Sequence, residues 1–448
     1  MPVTKDLVKK LLNNAKKKSD EAEVYAATTK QLKIDVMDQK PGSVDNVTEG
    51  GLSLRIIKDK KPGFAYTADF DENSLELLVD HAVENSKSAQ PDEYADLPAP
   101  KKQTKALKLT DPGIEGAKLS DKLELALQLE GYARSFDVRV KKTEKVSYMD
   151  SVSSIFIANS KGVDVHYEKT VCGAFADVIA EENGMMESGS WNKFAVNFND
   201  LDPKYIGEEA ARRAVMMLGA KQEKSGRAPV ILSPYAGSIL ISAIFPALSA
   251  EYAQKGKSLF ISAMDKLVAS PKLNLTDSGI LSGGTASAPY DDEGTPTQET
   301  AIIKDGILRT YLHDSYTAKK GKKTSTANAF RASFMSQPSI QPTNLYVKPG
   351  SISKDEIIGG ISKGFFVTSI MGAHTINPIT GDFSVGFSGF FIDNGKISKP
   401  VRGMTLAGNL LDVLSHIEEI GSDLMFFQHG GNIGSPSMLI RSLSVSGI

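Results

Sequence analysis

The chain has 448 residues, 41% hydrophobic and 24% charged, with 52 basic against 54 acidic side chains and a net charge of -2. That length predicts two or three domains, and the balanced charge excludes a global bias toward nucleic acid or an anionic membrane. A single cysteine, Cys172, excludes an intrachain disulfide framework and a cysteine-rich zinc site; with no signal-like apolar run after the first lysines and no stretch of ~20 apolar residues, the expectation is a soluble, cytoplasmic protein.

From the N-terminus, Leu7, Val8, Leu11, Leu12 and Ala15 recur at helical spacing with lysines on the other face, which read as a solvated surface. EVYAATTKQLKIDVMDQK alternates and predicts a strand. GGLSLRIIKDKKPGFAYTADF predicts two more strands around a Pro62-Gly63 turn. Leu75, Leu78, Val79 and Val83 mark a second amphipathic helix. Between Ser88 and Pro112 the composition shifts to Pro, Asp, Lys and Ala, an exposed connection without a core pattern. A helix resumes with Ser120 as its N-cap. Two alternating runs then flank Asn159-Ser160-Lys161-Gly162, a hairpin signal, with Cys172 buried in the second of them. Asp202-Pro203 opens a helix through Leu218, since proline is tolerated in the first turn.

The polar segment GAKQEKSGRAP places a domain boundary near Ala220, giving an N-terminal α+β domain over 1–220 and a β-rich C-terminal domain over 221–448. In the second half, Asp305-Gly306 and Asn394-Gly395 are the dipeptides that type I′ hairpins demand, because both central residues need positive φ. TAKKGKKTSTANAF, between them, is expected to be a mobile loop, and SMLIRSLSVSGI a closing strand. Hairpins dominate and strand-helix-strand crossovers are not evident. The predicted class is therefore α+β, with hairpin-rich antiparallel sheets and flanking helices.

A zinc peptidase usually places two histidines on one helix face beside a glutamate that activates the metal-bound water. The six histidines here, His81, His166, His313, His374, His416 and His429, include no such pair. No phosphate-binding loop and no G-x-S-x-G nucleophile elbow is present. Two polar clusters remain. In PYDDEGTP, three adjacent carboxylates, Asp291, Asp292 and Glu293, repel one another unless a positive group sits close, so they mark either a cation or peptide-amine site or a solvated turn. In GAHTINPITGDF, His374 and Asn377 sit on a loop between two apolar runs, where they would either contact peptide carbonyls or a metal or only satisfy local backbone; His429 in FFQHGGN has the same two readings.

Four segments in register, EGGLSLRIIKDKKPGFAYT, the PYDDEGTPTQETAIIKDGILRTYLHDSYTAKK block, the run from NLYVKPG to DNGKISKPV, and AGNLLDVLSHIEEIGSD with the final strand, resemble the TldD/PmbA family from about Glu21 to Gly447. The resemblance implies a cytosolic metallopeptidase assembled from a TldD-type and a TldE/PmbA-type subunit, acting on small unfolded polypeptides. It also carries the family label of modulator of DNA gyrase. In the TldD type, a His-Glu-x-x-x-His helix and a C-terminal cysteine hold zinc. Here the corresponding segment, AGSILISAIFPALSAEYAQKG, has no histidine, and Pro246 should interrupt its helix. The resemblance therefore points to the PmbA/TldE type: no metal or catalytic residue in this chain, zinc in a TldD-type partner, and Asp291, Asp292, Glu293, His374 and Asn377 as candidate contacts near a shared cavity. A homodimer is the expectation where that partner is absent. Two rival readings are a self-sufficient metallopeptidase with dispersed ligands (His374, His429 and a carboxylate of Asp291 to Glu293) and a non-enzymatic regulatory protein without direct nucleic-acid contact.

Overall fold

A computed structural model describes residues 3–448. In the first half, α1 (Lys5–Lys16) precedes β1 (Glu21–Met37), β2 (Lys40–Lys58) and β3 (Lys61–Thr67); α2 (Glu72–Ser88), α3 (Pro112–Gly116) and α4 (Leu119–Ser135) lead to β4 (Val140–Asn159), β5 (Asp164–Glu182) and β6 (Met185–Ala195), and α5 (Pro203–Met217) ends it. The six strands form one antiparallel sheet in the order β3-β2-β1-β4-β5-β6. The period-2 alternation of a strand assigns the faces. Even-numbered β1 residues face the helices: Ala22, Val24 and Ala26 pack with Leu52 and Leu54 under α1 and α2, while Ile34 and Val36 pack with Tyr148 and Ala174 under α4 and α5. Odd-numbered residues, including Glu23, Tyr25, Arg55 and Ile157, lie on the opposite face.

The helix starts follow capping chemistry. Thr4, Asp71 and Asp202 each accept a backbone N–H of the first turn, and Pro203 occupies the first turn of α5. α4 starts one residue before the expected cap, after Lys118 rather than at Ser120. The β2–β3 turn lies at Asp59-Lys60, both at positive φ (51° and 61°), not at Pro62-Gly63. Gly63 serves packing instead, since a Cβ there would lie 2.1 Å from the Ala82 carbonyl oxygen. The proline-rich connection is only partly exposed: Leu97 is buried, and the Gln103 amide donates to the carbonyls of Pro289 (2.8 Å) and Thr297 (3.1 Å).

The second half runs through β7 (Gly226–Leu232), α6 (Pro234–Leu248), α7 (Ala250–Gln254), β8 (Leu275–Ser278), β9 (Glu299–Lys304), β10 (Ile307–Leu308), α8 (Ser315–Lys320), β11 (Ala329–Phe330), β12 (Ser339–Ile340), β13 (Asn344–Val347) and α9 (Lys354–Gly359). It continues with β14 (Lys363–Met371), β15 (Asp382–Asp393), β16 (Lys396–Asn409), α10 (Leu410–Ser415), β17 (Ile417–Ile420), β18 (Met425–Gln428), β19 (Asn432–Ser435) and β20 (Met438–Ser446). Two six-stranded sheets result, β10-β9-β8-β13-β19-β18 and β16-β15-β14-β7-β20-β17, with β16 also pairing to β20. Both are mainly antiparallel, but β13–β19 and β14–β7 are parallel. The hairpins at Asp305-Gly306 and Asn394-Gly395 have positive φ at all four residues, as expected. One core cluster joins α6 to residues of both sheets, among them Val230, Leu275, Leu345 and Val367. Burial on most sides explains why α6 is apolar nearly all round. Pro246 does not interrupt it: the proline falls in the last turn and the helix closes two residues later. The segment expected to be a mobile loop is anchored at both ends, with residues 319–324 between them exposed. α8 runs into its start, and near its end the buried Asn328 amide donates to Asp277 at 2.7 Å.

Candidate functional site

The odd face of the first sheet meets the 291–294 loop of the second half through buried ions. Arg331, 3% exposed, donates from Nη2 to Glu23 Oε1 at 2.6 Å; Arg55 Nη2 donates to Glu23 Oε2 at 3.0 Å, and Arg55 Nη1 lies 2.8 Å from Glu293 Oε1. Ser315 N–H completes Glu293 at 2.9 Å, and the Arg331 guanidinium also stacks over Tyr25 at 4.9 Å. Burial raises the cost of the Glu293 charge, yet Arg55 and Ser315 hold its pKa below the usual range. Asp291 Oδ1 accepts the N–H groups of Glu293 (3.1 Å) and Thr295 (2.8 Å), while burial and the Glu293 charge push its pKa well up. Asp292 accepts Arg331 N–H at 2.7 Å and is pushed by burial up to about 6. The triplet is thus neither a solvated turn nor an open cation site. It is an internal ion network that ties the first sheet to the second half.

Two further features border that network. A cavity of about 410 Å³ is lined by Arg55, Glu293, Asp314, Asp96, Glu251 and Lys320, among others. On the sheet face, Lys169 of β5 is half-buried, and desolvation lowers its pKa to about 8.

On α6 lies a second concavity of about 390 Å³, lined by Tyr235, Ile239, Ser242, Ala243, Ala373, His374 and His429. His374 comes from the turn after β14, exposed to solvent, and His429 from the β18–β19 turn, half-buried. His429 Nε2 lies 3.1 Å from Ser238 Oγ, and its ring neighbours those of Tyr235 (5.7 Å between centroids) and Phe427 (6.4 Å). Desolvation lowers the His429 pKa. Asn377 plays a local part: its Oδ1 accepts the N–H groups of Ile379 (2.9 Å) and Thr380 (3.1 Å), which shapes the turn into β15. The five residues singled out from sequence therefore separate, with the carboxylates in the ion network, His374 at the α6 pocket, and Asn377 in a surface turn.

Three family models match the chain in order: the PmbA/TldA metallopeptidase domain 1 over residues 22–86, the central domain over 112–218 and the C-terminal domain over 225–447. The chain belongs to the PmbA/TldD metallopeptidase family. It is 28% identical to Metalloprotease PmbA of Escherichia coli O157:H7, over 99% of this chain and 96% of that protein. It is 29% identical to the Metalloprotease TldD homolog of Buchnera aphidicola subsp. Acyrthosiphon pisum, over 89% of this chain and 87% of that one. A Thermotoga maritima structure described as a candidate modulator of a DNA gyrase superposes with a TM-score of 0.90 at 28% identity, covering 98% of this chain and 99% of that chain. TldE from Thermococcus kodakarensis shares the fold, with a TM-score of 0.91 at 23% identity over 98% of this chain and 100% of that chain.

A metalloprotease family implies a metal, and the donor set here does not fit one. Among the described residues, no three His, Cys, Asp or Glu side chains converge to hold an ion. The α6 pocket offers two imidazoles, but the helix faces it with Ile239, Ser242 and Ala243 rather than with ligands. The dispersed trio of His374, His429 and a carboxylate of Asp291 to Glu293 is not assembled, because the carboxylates are held by Arg55, Arg331 and backbone amides. Sequence reasoning also missed Tyr235 and Ser238, which pack and hydrogen-bond His429. No local motif marks them, since Ser238 and His429 are 191 positions apart. Among the described residues no helix is long and apolar enough to cross a membrane.

Proposed function

We propose that this chain is a PmbA/TldE-type subunit of a two-subunit metallopeptidase, shaping the peptide-binding cavity while a TldD-type partner supplies the zinc. The observation that carries the reading is the character of α6. The resemblance assigns this segment to the metal-binding helix of the TldD type. Here it presents small and apolar side chains to its pocket, with two histidines approaching from other elements and no third ligand beside them. The pocket wall and the hairpin-rich sheets behind it suit the holding of extended, unfolded polypeptides, whose main chain is recognised by strand addition and whose side chains enter pockets.

The test is elemental analysis of the purified chain, alone and after mixing with a TldD-type subunit, with peptidase assays on both. The expected result is no stoichiometric zinc and no hydrolysis alone, and about one zinc per mixed dimer with activity restored. One zinc per isolated chain, with hydrolysis lost on His374→Ala, would overturn the assignment and make this subunit an enzyme in itself.

A further inference from the structure

We propose that the concavity on α6 is a side-chain subsite that takes an aromatic residue of an extended peptide. The inference rests on the reading that this chain handles peptides and adds which residue it selects. Three observations carry it.

The first is the lining. Tyr235, Ile239, Ala243 and Ala373 make an apolar wall around about 390 Å³. That volume is at the small end of ligand pockets, enough for a ring and the peptide group bearing it.

The second is the hydrogen-bond state of His429. Ser238 Oγ donates its single proton to the Tyr235 carbonyl at 2.8 Å. The same oxygen lies 3.1 Å from His429 Nε2; with the hydroxyl proton committed to the carbonyl, Nε2 is the donor of that contact. In the neutral ring, Nδ1 is then left as an acceptor with no protein partner among the described residues, on a side chain that lines the concavity. Burial favours that neutral ring.

The third is rigidity. The imidazole is packed by Tyr235 and Phe427; Phe427 is backed by Trp191 at 5.6 Å, and Trp191 by the Arg213 guanidinium at 4.0 Å. An acceptor with a fixed direction, beside an apolar wall that includes an aromatic ring, matches a flat apolar group with an N–H next to it. An aromatic residue in a peptide has that chemistry. An aliphatic residue fills the wall but forgoes the ring-edge contact with Tyr235.

The experiment is fluorescence anisotropy with the full chain and labelled heptapeptides that differ only in a central Ala, Leu or Phe. The expected ranking is Phe over Leu over Ala, with Phe about tenfold tighter than Ala, a factor that one well-buried ring supplies. Ala243→Phe, which fills the pocket from α6, should abolish the preference, bringing the Phe peptide down to the level of the Ala peptide, its fold checked by thermal melting. Ala373→Phe, from the turn after β14, is the second variant should the first not fold. Equal affinity for Phe and Ala peptides, a preference that survives either folded variant, or no binding of any peptide would overturn the subsite. Zinc in the isolated chain would instead overturn the subunit assignment and leave the affinity ranking in place.

Discussion

Between β1 and the 291–294 loop, charges meet charges. Glu23 accepts from two arginines, Glu293 from Arg55 and a backbone amide, and Asp291 and Asp292 from main-chain donors; of the buried atoms there, Arg55 Nε, Thr295 Oγ1 and Ser315 Oγ are left without a partner. On α6 the polar groups are fewer and less committed: His429 is held through one nitrogen only, and His374 stands in solvent at the rim. A sequence reader is drawn to the first region because carboxylates crowd there. Yet crowded charges that answer one another hold a fold together, while a rigid polar group with a free valence beside an apolar wall is what recognises a ligand.

The largest effect should come from breaking the first region. Arg331→Ala leaves Glu23 and the 291–294 loop short of a cation in a buried site, which typically costs about 3–5 kcal/mol. A denaturant melt should record a loss of that size. The comparison sharpens if Arg331→Met and Glu23→Leu are combined, because removing both charges spares the uncompensated one. The double variant should lose clearly less than the two single losses added together. An additive double variant would mean that the ion pair contributes nothing of its own.

Next in size is a pH effect in the same network. Asp292 has an ordinary carboxyl value of 3.8 when unfolded and one near 6 when folded, raised by burial. The sign follows from the raised folded value. Above pH 6 the folded state carries the full cost of the ion; as pH falls from 6 toward 4 the folded state takes up the proton first, so wild type gains stability, and below about 4 the gain is complete. Asp292→Asn abolishes that titration. Measured as thermal melting from pH 7.5 to 4.5, wild type should gain on the variant by up to about 2 kcal/mol. A stability difference that stays flat over that range would mean that the fold does not raise the Asp292 carboxyl.

How far the sequence foretold these two regions depends on the range of the interactions. The hairpins at Asp305-Gly306 and Asn394-Gly395, and the helix begun by Asp202-Pro203, were legible because backbone φ and capping are decided within four residues. The Asp59-Lys60 turn was not, since both residues take positive φ without a glycine, while nearby Gly63 is there for contact with α2. The burial of residues 326–329 was hidden for another reason. The polarity of Asn328 and Thr326 reads as solvent exposure until Asp277 is brought to Asn328 across 51 positions. The ion network is the extreme case, for Arg331 reaches Glu23 across 308 positions, and no local pattern announces such a partner.

The smallest expected effect tests the second region. Ser238 is fully buried, and its hydroxyl stands between the Tyr235 carbonyl and His429 Nε2. Ser238→Ala deletes one neutral hydrogen-bond acceptor and should cost only about 1 kcal/mol of stability. Its effect on the ring is larger in kind. With the serine present, neutral His429 should carry its proton on Nε2, and nitrogen-15 chemical shifts should show that tautomer, resolvable among six histidines. Without the serine, nothing fixes the proton and the two tautomers should mix, so Nδ1 is no longer a dependable acceptor. Affinity for the Phe peptide should then drop by a few-fold while the Leu-to-Ala ratio is kept, because the apolar wall is untouched. A wild-type ring already protonated on Nδ1 would mean that Ser238 accepts nothing from His429. The α6 pocket would then be an apolar dent rather than a site with a direction built into it.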